Sequence, residues 1–259
     1  MSDLAGMTWE EARAAAAAGA VAVVPTGSLE QHGPHLPVRV DTALVTAVAE
    51  AALRRLPPHV PAVLAPTLWL GASHHHLHFF AVSIDERTYV EVAAQIGCSL
   101  AEAGFRRVFF LNGHGGNAAA LRLAVNEIVR RRPATLVAAA EYWALGAAGI
   151  RRARTTGPGG AAHACEVETS LMLHVTPAEV RTDRLRRDVP PLPPPFVRDL
   201  VDGGPVTLGI AWERLSAGGT LGDPTQATAD KGAAMLEACA QATAEALAAF
   251  AGLDLEGAG

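Results

Sequence analysis

The 259-residue chain has little of several things. Its three cysteines, Cys98, Cys165 and Cys239, are widely spaced and odd in number, which excludes a disulfide framework or a zinc knuckle. Aromatic residues make up only 5% of the chain, so the core is expected to be many packed helices and buried strands rather than a few aromatic anchors. There is no excess of positive charge: 21 basic against 26 acidic residues give −5. Without a basic stripe to neutralise a phosphate backbone, nucleic acid is not an expected partner. No apolar run approaches the roughly 18–20 residues that cross a bilayer, so no membrane partner is expected. The opening MSDLAGMTWEEA lacks a basic start followed by an apolar run, so no secretory signal is expected, and a reduced cytoplasmic setting is the default. What the chain does have is apolar mass: half its residues are hydrophobic, which excludes a disordered polar chain.

The pattern alternates strand and helix. Thr8 and Glu11 form a capping-box signature that opens a helix to about Ala18. Strands are expected at 20–25, 61–70, 107–111 and 135–142, with helices at 42–56, 87–103, 118–131, 166–175 and 225–251. Gly104 is the expected close of the second of these helices. The strands are continuous apolar runs, as in a sheet covered on both faces. The fold class is therefore α/β: one layered α/β/α domain over 1–259 with a mainly parallel central sheet. Residues 184–224, with PPLPPP at 190–195, read as an irregular proline-rich arm on that domain. Parallel sheets place their sites beyond the carboxyl ends of strands, where the two least regular loops, after Pro25 and after Leu111, fall.

Eight of the ten histidines lie in four short stretches: 30–35 with Asp41 following, 73–78, 112–117 and 163–169. Scattered surface histidines would not concentrate so. Imidazoles and carboxylates together suit a hydrolytic centre of two metals about 3.5–4 Å apart, one carboxylate bridging them. Glu30 and His32, two apart, share a side of an extended segment. The glycines around His114 let backbone approach a ligand closely. Zinc, manganese and iron all accept such donors.

In order, Thr26–Pro37 (TGSLEQHGPHLP) with Asp41, Leu111–Asn117 (LNGHGGN) and His163–Leu173 (HACEVETSLML) resemble the three signatures of the creatininase family of metal-dependent amidohydrolases. Leu221–Pro224 (LGDP) resembles a C-terminal element of many members. The resemblance implies two divalent metal ions per chain, zinc first and manganese or iron next, and a homohexamer. It places Glu30, Asp41 and His114 on one metal, and His32 with a bridging Asp41 on the other. Creatinine-hydrolysing members complete the second metal with a glutamate where this chain has Gly116, so Glu166 is expected to supply the carboxylate. Glu168 is placed behind Glu166 as a ligand and assigned instead to the catalytic group with His163, orienting a ligand or loop. His163 matches the family's catalytic histidine, donating a proton to the departing nitrogen after a metal-activated hydroxide attacks the amide. Candidate substrate residues are Ser73, His75, His76, Phe79 and Gly115.

The tryptophan and aspartate that grip creatinine in those members are replaced by Gly157–Ala162 (GPGGAA). The leading expectation is hydrolysis of a small cyclic amide or formamide other than creatinine. The alternatives are a peptidase that trims a precursor peptide, as in mycofactocin-processing members, and a metal-binding protein without turnover.

Overall fold

The computed structural model describes residues 2–253. The expected domain limits at residue 1 and residues 254–259 lie outside the described residues. In chain order the elements are β1 (Ser2–Asp3), α1 (Trp9–Ala17), β2 (Val21–Thr26), β3 (Leu29–Glu30), α2 (Val40–Leu53), β4 (Ala62–Leu64), β5 (Ala81–Val82), α3 (Glu86–Glu102), β6 (Arg107–Asn112), α4 (Ala118–Arg131) and β7 (Leu136–Glu141). There follow α5 (Tyr142–Leu145), α6 (Ala147–Ala153), β8 (Ala161–His163), α7 (Glu166–Val175), α8 (Trp212–Leu215), β9 (Leu221–Gly222) and α9 (Ala229–Ala251).

Local chemistry fixes the ends. The Thr8 hydroxyl accepts from the Glu11 amide, and the Thr8 amide donates to the Glu11 carboxylate, so α1 opens with the expected capping box. Gly104 follows α3 at φ +106°, a conformation that disfavours any side chain.

Five strands form a parallel sheet in the order β1-β4-β2-β6-β7. Side chains alternate across it, as a period of two requires. Val21, Val23, Phe109 and Leu111 face a core shared with α2, α7 and α9. Ala22, Val24, Val108 and Phe110 face the other core, shared with α1, α3 and α4. The expected α/β/α layering and parallel sheet are borne out.

From β2 the chain leaves through α2 on one face toward β4. From β6 it leaves through α4 on the opposite face toward β7. Adjacent β2 and β6, in register from Val21–Arg107 to Thr26–Asn112, thus flank a topological switch point. Connections that diverge to opposite faces open a crevice beyond the strand ends, where α/β sheets bind ligands.

The proline-rich arm folds back over this crevice. Its end, β9, pairs antiparallel with β8, and the Leu200 amide donates to the Ala161 carbonyl at 2.7 Å. Asp199 anchors the turn. Its buried carboxylate pairs with Arg154 at 2.7 Å and accepts the amides of Gly159, Ala161, Val201 and Asp202.

Candidate metal centre

The loops after β2 and β6 meet at the crevice because two asparagines tie them. Asn112 accepts from the His114 amide and donates to its carbonyl. Asn117 donates to the Gly27 carbonyl and accepts from the Ala72 amide, so three loops share one side chain. The third signature arrives from the arm side. Ala164, fully buried, adopts φ +49°, the one positive φ outside glycine among the described residues. That turn swings the chain from β8 into α7 and delivers His163 and Glu168 to the same space.

Four overlapping groups result among the described residues, each with ligand atoms within 4.8 Å of one another. Beside Glu30 with His75 and His76, and Glu30 with His32 and His163, stand two carboxylate-rich ones: Glu30, Asp41 and His114, and His32, Asp41 and Glu168. Asp41 belongs to both of the latter. Its Oδ1 lies 3.1 Å from His32 Nε2 and its Oδ2 2.9 Å from His114 Nδ1, so its two oxygens face two different imidazoles. Glu168 Oε1 lies 3.8 Å from His32 Nε2. Glu30 Oε1 lies 3.4 Å from His114 Nδ1 and 3.3 Å from His76 Nε2.

Each imidazole is oriented through its other nitrogen, the arrangement that fixes a ligating histidine. His32 Nδ1 lies 3.1 Å from the Glu30 carbonyl. His114 Nε2 lies 3.0 Å from the Ala72 carbonyl and 3.1 Å from Ser73 Oγ. Their remaining nitrogens turn inward.

The donor set fits cations. Glu30 Oε2, Asp41 Oδ2, His32 Nε2 and His76 Nε2 are buried without hydrogen-bond partners, and all belong to these overlapping groups. Buried polar atoms are normally satisfied, and four orphans in one spot call for ions. Without a cation, protons take its place. Burial opposes charge on His114 and His32, yet Glu30 with Asp41, and Asp41 with Glu168, hold these imidazoles well above the ordinary histidine range. Burial alone would raise Glu30, but His114 and His76 hold its carboxyl well below the usual range.

The expected ligand Glu166 is corrected by the structure. Its carboxylate accepts from the amides and hydroxyls of Thr155 and Thr156 and pairs with Lys231 at 2.5 Å. Lys231 and these threonines outweigh burial and keep its pKa low. The physical reason is helical phase. Glu166 and Glu168 open α7 two residues apart, so they point about 200° from each other. With Glu168 facing His32, Glu166 must face away, and there it clamps the 155–156 backbone ahead of His163. Gly116 cannot host the carboxylate either. A Cβ there would collide with the Ala72 carbonyl oxygen and the His114 ring.

His163 stands beside the cluster. Its Nε2 lies 2.8 Å from the Gln31 carbonyl, and its Nδ1 lies 3.7 Å from Glu30 Oε1. Burial, with His32 and His76 nearby, pushes its pKa well below the ordinary value, so it is neutral at pH 7. With Nε2–H donating to Gln31, the Nδ1 lone pair is free.

Of the expected substrate residues, His75, His76 and Gly115 line a cavity of about 590 Å³ over the cluster. Two others are corrected. Ser73 is fully buried, with its hydroxyl on His114 and on Ser28, so it orients the His114 ring. Phe79 packs on the Trp212–Leu215–Leu221 group instead of lining the cavity. Sequence reasoning missed Gln31, whose amide nitrogen reaches His76 Nδ1 at 2.9 Å and the Gly219 carbonyl at 3.0 Å. Its place between Glu30 and His32 was the available signal. It also missed Trp212, whose ring lies 4.2 Å from that of His76 and 5.1 Å from that of His163.

A parallel sheet carrying a buried imidazole–carboxylate cluster at its switch point defines a hydrolase of the metal-binding kind. The chain belongs to the creatininase family: the family model described as creatinine amidohydrolase matches residues 5–247. It is 37% identical over 241 residues to a mycofactocin precursor peptide peptidase of Mycobacterium tuberculosis, covering 86% of this chain and 84% of that one. It is 32% identical over 257 residues to a creatinine amidohydrolase of Pseudomonas putida, covering 93% and 94%. A solved structure titled as a manganese creatininase matches with a TM-score of 0.80 at 30% identity, over 95% of this chain and 97% of that one. The chain is accordingly a hydrolase acting on C–N bonds.

Proposed function

We propose that the protein is a two-metal amidohydrolase that cuts an amide bond within a short peptide. The observation that carries the peptide reading is the extent of the cleft. The 590 Å³ cavity over the cluster shares Gly115, Ala162, Arg198, Leu200, Thr207 and Trp212 with a second cavity of about 490 Å³ beneath the arm. Cavities of about 300–1,000 Å³ already enclose drug-sized ligands. A cleft extended in this way suits several residues of chain, and the 37% identity to a precursor peptide peptidase agrees. A small cyclic amide is the second reading, favoured by the creatinine amidohydrolase relative aligned over 93% of this chain.

In this reading Glu30, Asp41 and His114 hold one divalent ion, and His32, Asp41 and Glu168 the other. Bound there, two cations supply Lewis acidity and lower the pKa of water to about 7. Zinc comes first, with manganese or iron next, supported by solved relatives titled as Mn and Zn-Zn forms. Hexameric assembly and a cytoplasmic setting belong to the same proposal. No helix among the described residues is long and apolar enough to cross a membrane.

The chain's own part is proton transfer and alignment. His163 Nδ1 takes a proton from the attacking water and passes it to the departing nitrogen, a poor leaving group as an anion. The Gln31 carbonyl keeps the Nε2 proton in place, so the reactive lone pair stays on Nδ1. Trp212 closes the cavity over His76 and His163 and screens them from water.

The test is a mixed panel of short peptides, cyclic amides and creatinine, with products read by mass spectrometry. Peptide cleavage that stops with chelator and returns with zinc or manganese is expected. Hydrolysis of cyclic amides with every peptide intact would overturn the peptide reading.

A further inference from the structure

Outside the metal cluster, the cavity over it is lined by one guanidinium, that of Arg198. Arg198 lies on the arm and is half-buried. Its Nη2 donates to the Leu208 carbonyl at 2.6 Å, and its Cζ lies 5.8 Å from the centre of the Trp212 ring. The same ring lies 5.1 Å from that of His163.

Arg198 has no carboxylate within ion-pair distance among the described residues. The nearby acids are engaged elsewhere, Asp199 with Arg154 and Asp202 with Arg151 and Arg154. Glu86, which also lines the cavity, is exposed and not paired with it. Burial lowers the pKa of Arg198, the direction expected for a cation drawn from water without a counter-ion. Arginine nonetheless stays charged, and the Leu208 carbonyl and the Trp212 ring offset its burial without neutralising it, so an anion brought to it is favoured.

The backbone beside it is rigidly held. Asp199, the next residue, gathers Arg154 and four backbone amides with its side chain essentially inaccessible. That hub fixes the arm against the segment leading to His163, so the guanidinium keeps a set position relative to the reacting centre. It borders all three adjoining cavities, including one of about 350 Å³ lined by Pro190, Pro191 and Leu192.

We propose that Arg198 is the receptor for a carboxylate of the substrate, pairing with it while the scissile amide lies over the metal cluster. The inference rests on the amidohydrolase reading above and adds the substrate class: an acidic peptide, its charge either the free C-terminus or an Asp or Glu side chain. A guanidinium takes such a group through two parallel hydrogen bonds, a geometry that lysine lacks.

The experiment uses the metal-loaded full chain and three matched tetrapeptide sets. One ends in a free carboxylate, one is the same set amidated, and one is amidated with an internal Asp. Cleavage is followed by mass spectrometry, and binding of uncleaved members by calorimetry. Arg198→Met is expected to raise KM or Kd about 10- to 100-fold for the carboxylate-bearing sets. The neutral set should change far less than the carboxylate-bearing sets, the metal content should match the parent, and kcat should move little. Whichever acidic set responds identifies the source of the charge. Arg198→Lys is expected to recover only part of the loss. Cleavage that ignores both peptide charge and residue 198 would overturn the role of Arg198 and leave the peptidase standing. Arg198-dependent binding of acidic peptides without any cleavage would retain the receptor and refute peptide turnover. Neither binding nor cleavage of any set would refute both.

Discussion

Asp41→Ala is expected to bind neither metal and to show no turnover above background. Asp41 offers Oδ1 toward His32 and Oδ2 toward His114, and it is the one carboxylate common to both ligand groups. Removing it takes an anionic ligand from each position and leaves His32 and His114 facing an unfilled space. The activity loss follows from the nucleophile. Without the ions the pKa of water returns from about 7 to its far higher bulk value, which removes many decades of hydroxide at neutral pH. Elemental analysis of protein purified without chelator reads the outcome, with circular dichroism to confirm the fold. Asp41→Asn serves as the check should the alanine variant misfold. Retention of two metals, or of one held as tightly as in the parent, would contradict a bridging Asp41.

His163→Ala has the opposite signature. Metal content should match the parent, while kcat falls about 10²- to 10⁴-fold, the range for a positioned general acid–base group. His163 is close enough to Glu30, at 3.7 Å, to be mistaken for a ligand, so the metal measurement separates the two roles. The pH profile adds a sign. Burial and the neighbouring His32 and His76 lower the His163 pKa, so the imidazole is neutral at pH 7 and gains its proton only in acid. Beside the limb near pH 7 set by metal-activated water, the parent's activity should therefore show a lower His163 limb, below the ordinary histidine range. That limb should disappear in the alanine variant. Normal turnover, or loss of metal in parallel with activity, would contradict the assignment.

The layered fold was legible because its main strands are long apolar runs and its helices carry clear ends. RVFFL at 107–111 and the following Asn–Gly–His loop read as strand and site, and the structure places them so. Two-residue strands such as Ala81–Val82 and Leu221–Gly222 hold too few residues for a period and were missed. The expected strand at 61–70 shrinks to Ala62–Leu64, because Pro66 offers no amide to continue the ladder. The chain rejoins β2 only at the Thr26–Leu68 bridge. The paired short helices at 142–153 were also missed, since four- and seven-residue helices split by Gly146 carry little periodic signal.

The site divides along the same line. Ligand types that cluster in sequence, such as Glu30 and His32, were legible, because local spacing alone concentrates them. The choice between Glu166 and Glu168 was not, because the phase of α7 is set by tertiary packing. The turn at Ala164 and the clamp from Lys231 fix which acid faces inward. Trp212 and Arg198 lie far along an irregular arm, and only its closure over the crevice, through Asp199 and the β8–β9 pair, brings them to the site. Glu166 gains a different meaning in the process. It and Asp199 both hold the 155–161 backbone, so the expected ligand instead supports the segment leading to His163.

The central claim is a three-carboxylate centre whose third acid is Glu168. Its most direct test is metal content per chain in Glu168→Ala and in Glu166→Gln beside the parent, by elemental analysis of chelator-free preparations. Near two metals are expected in the parent, near one in Glu168→Ala, and near two in Glu166→Gln. One metal in Glu166→Gln with two retained in Glu168→Ala would contradict that claim, as would a parent that holds one metal or none.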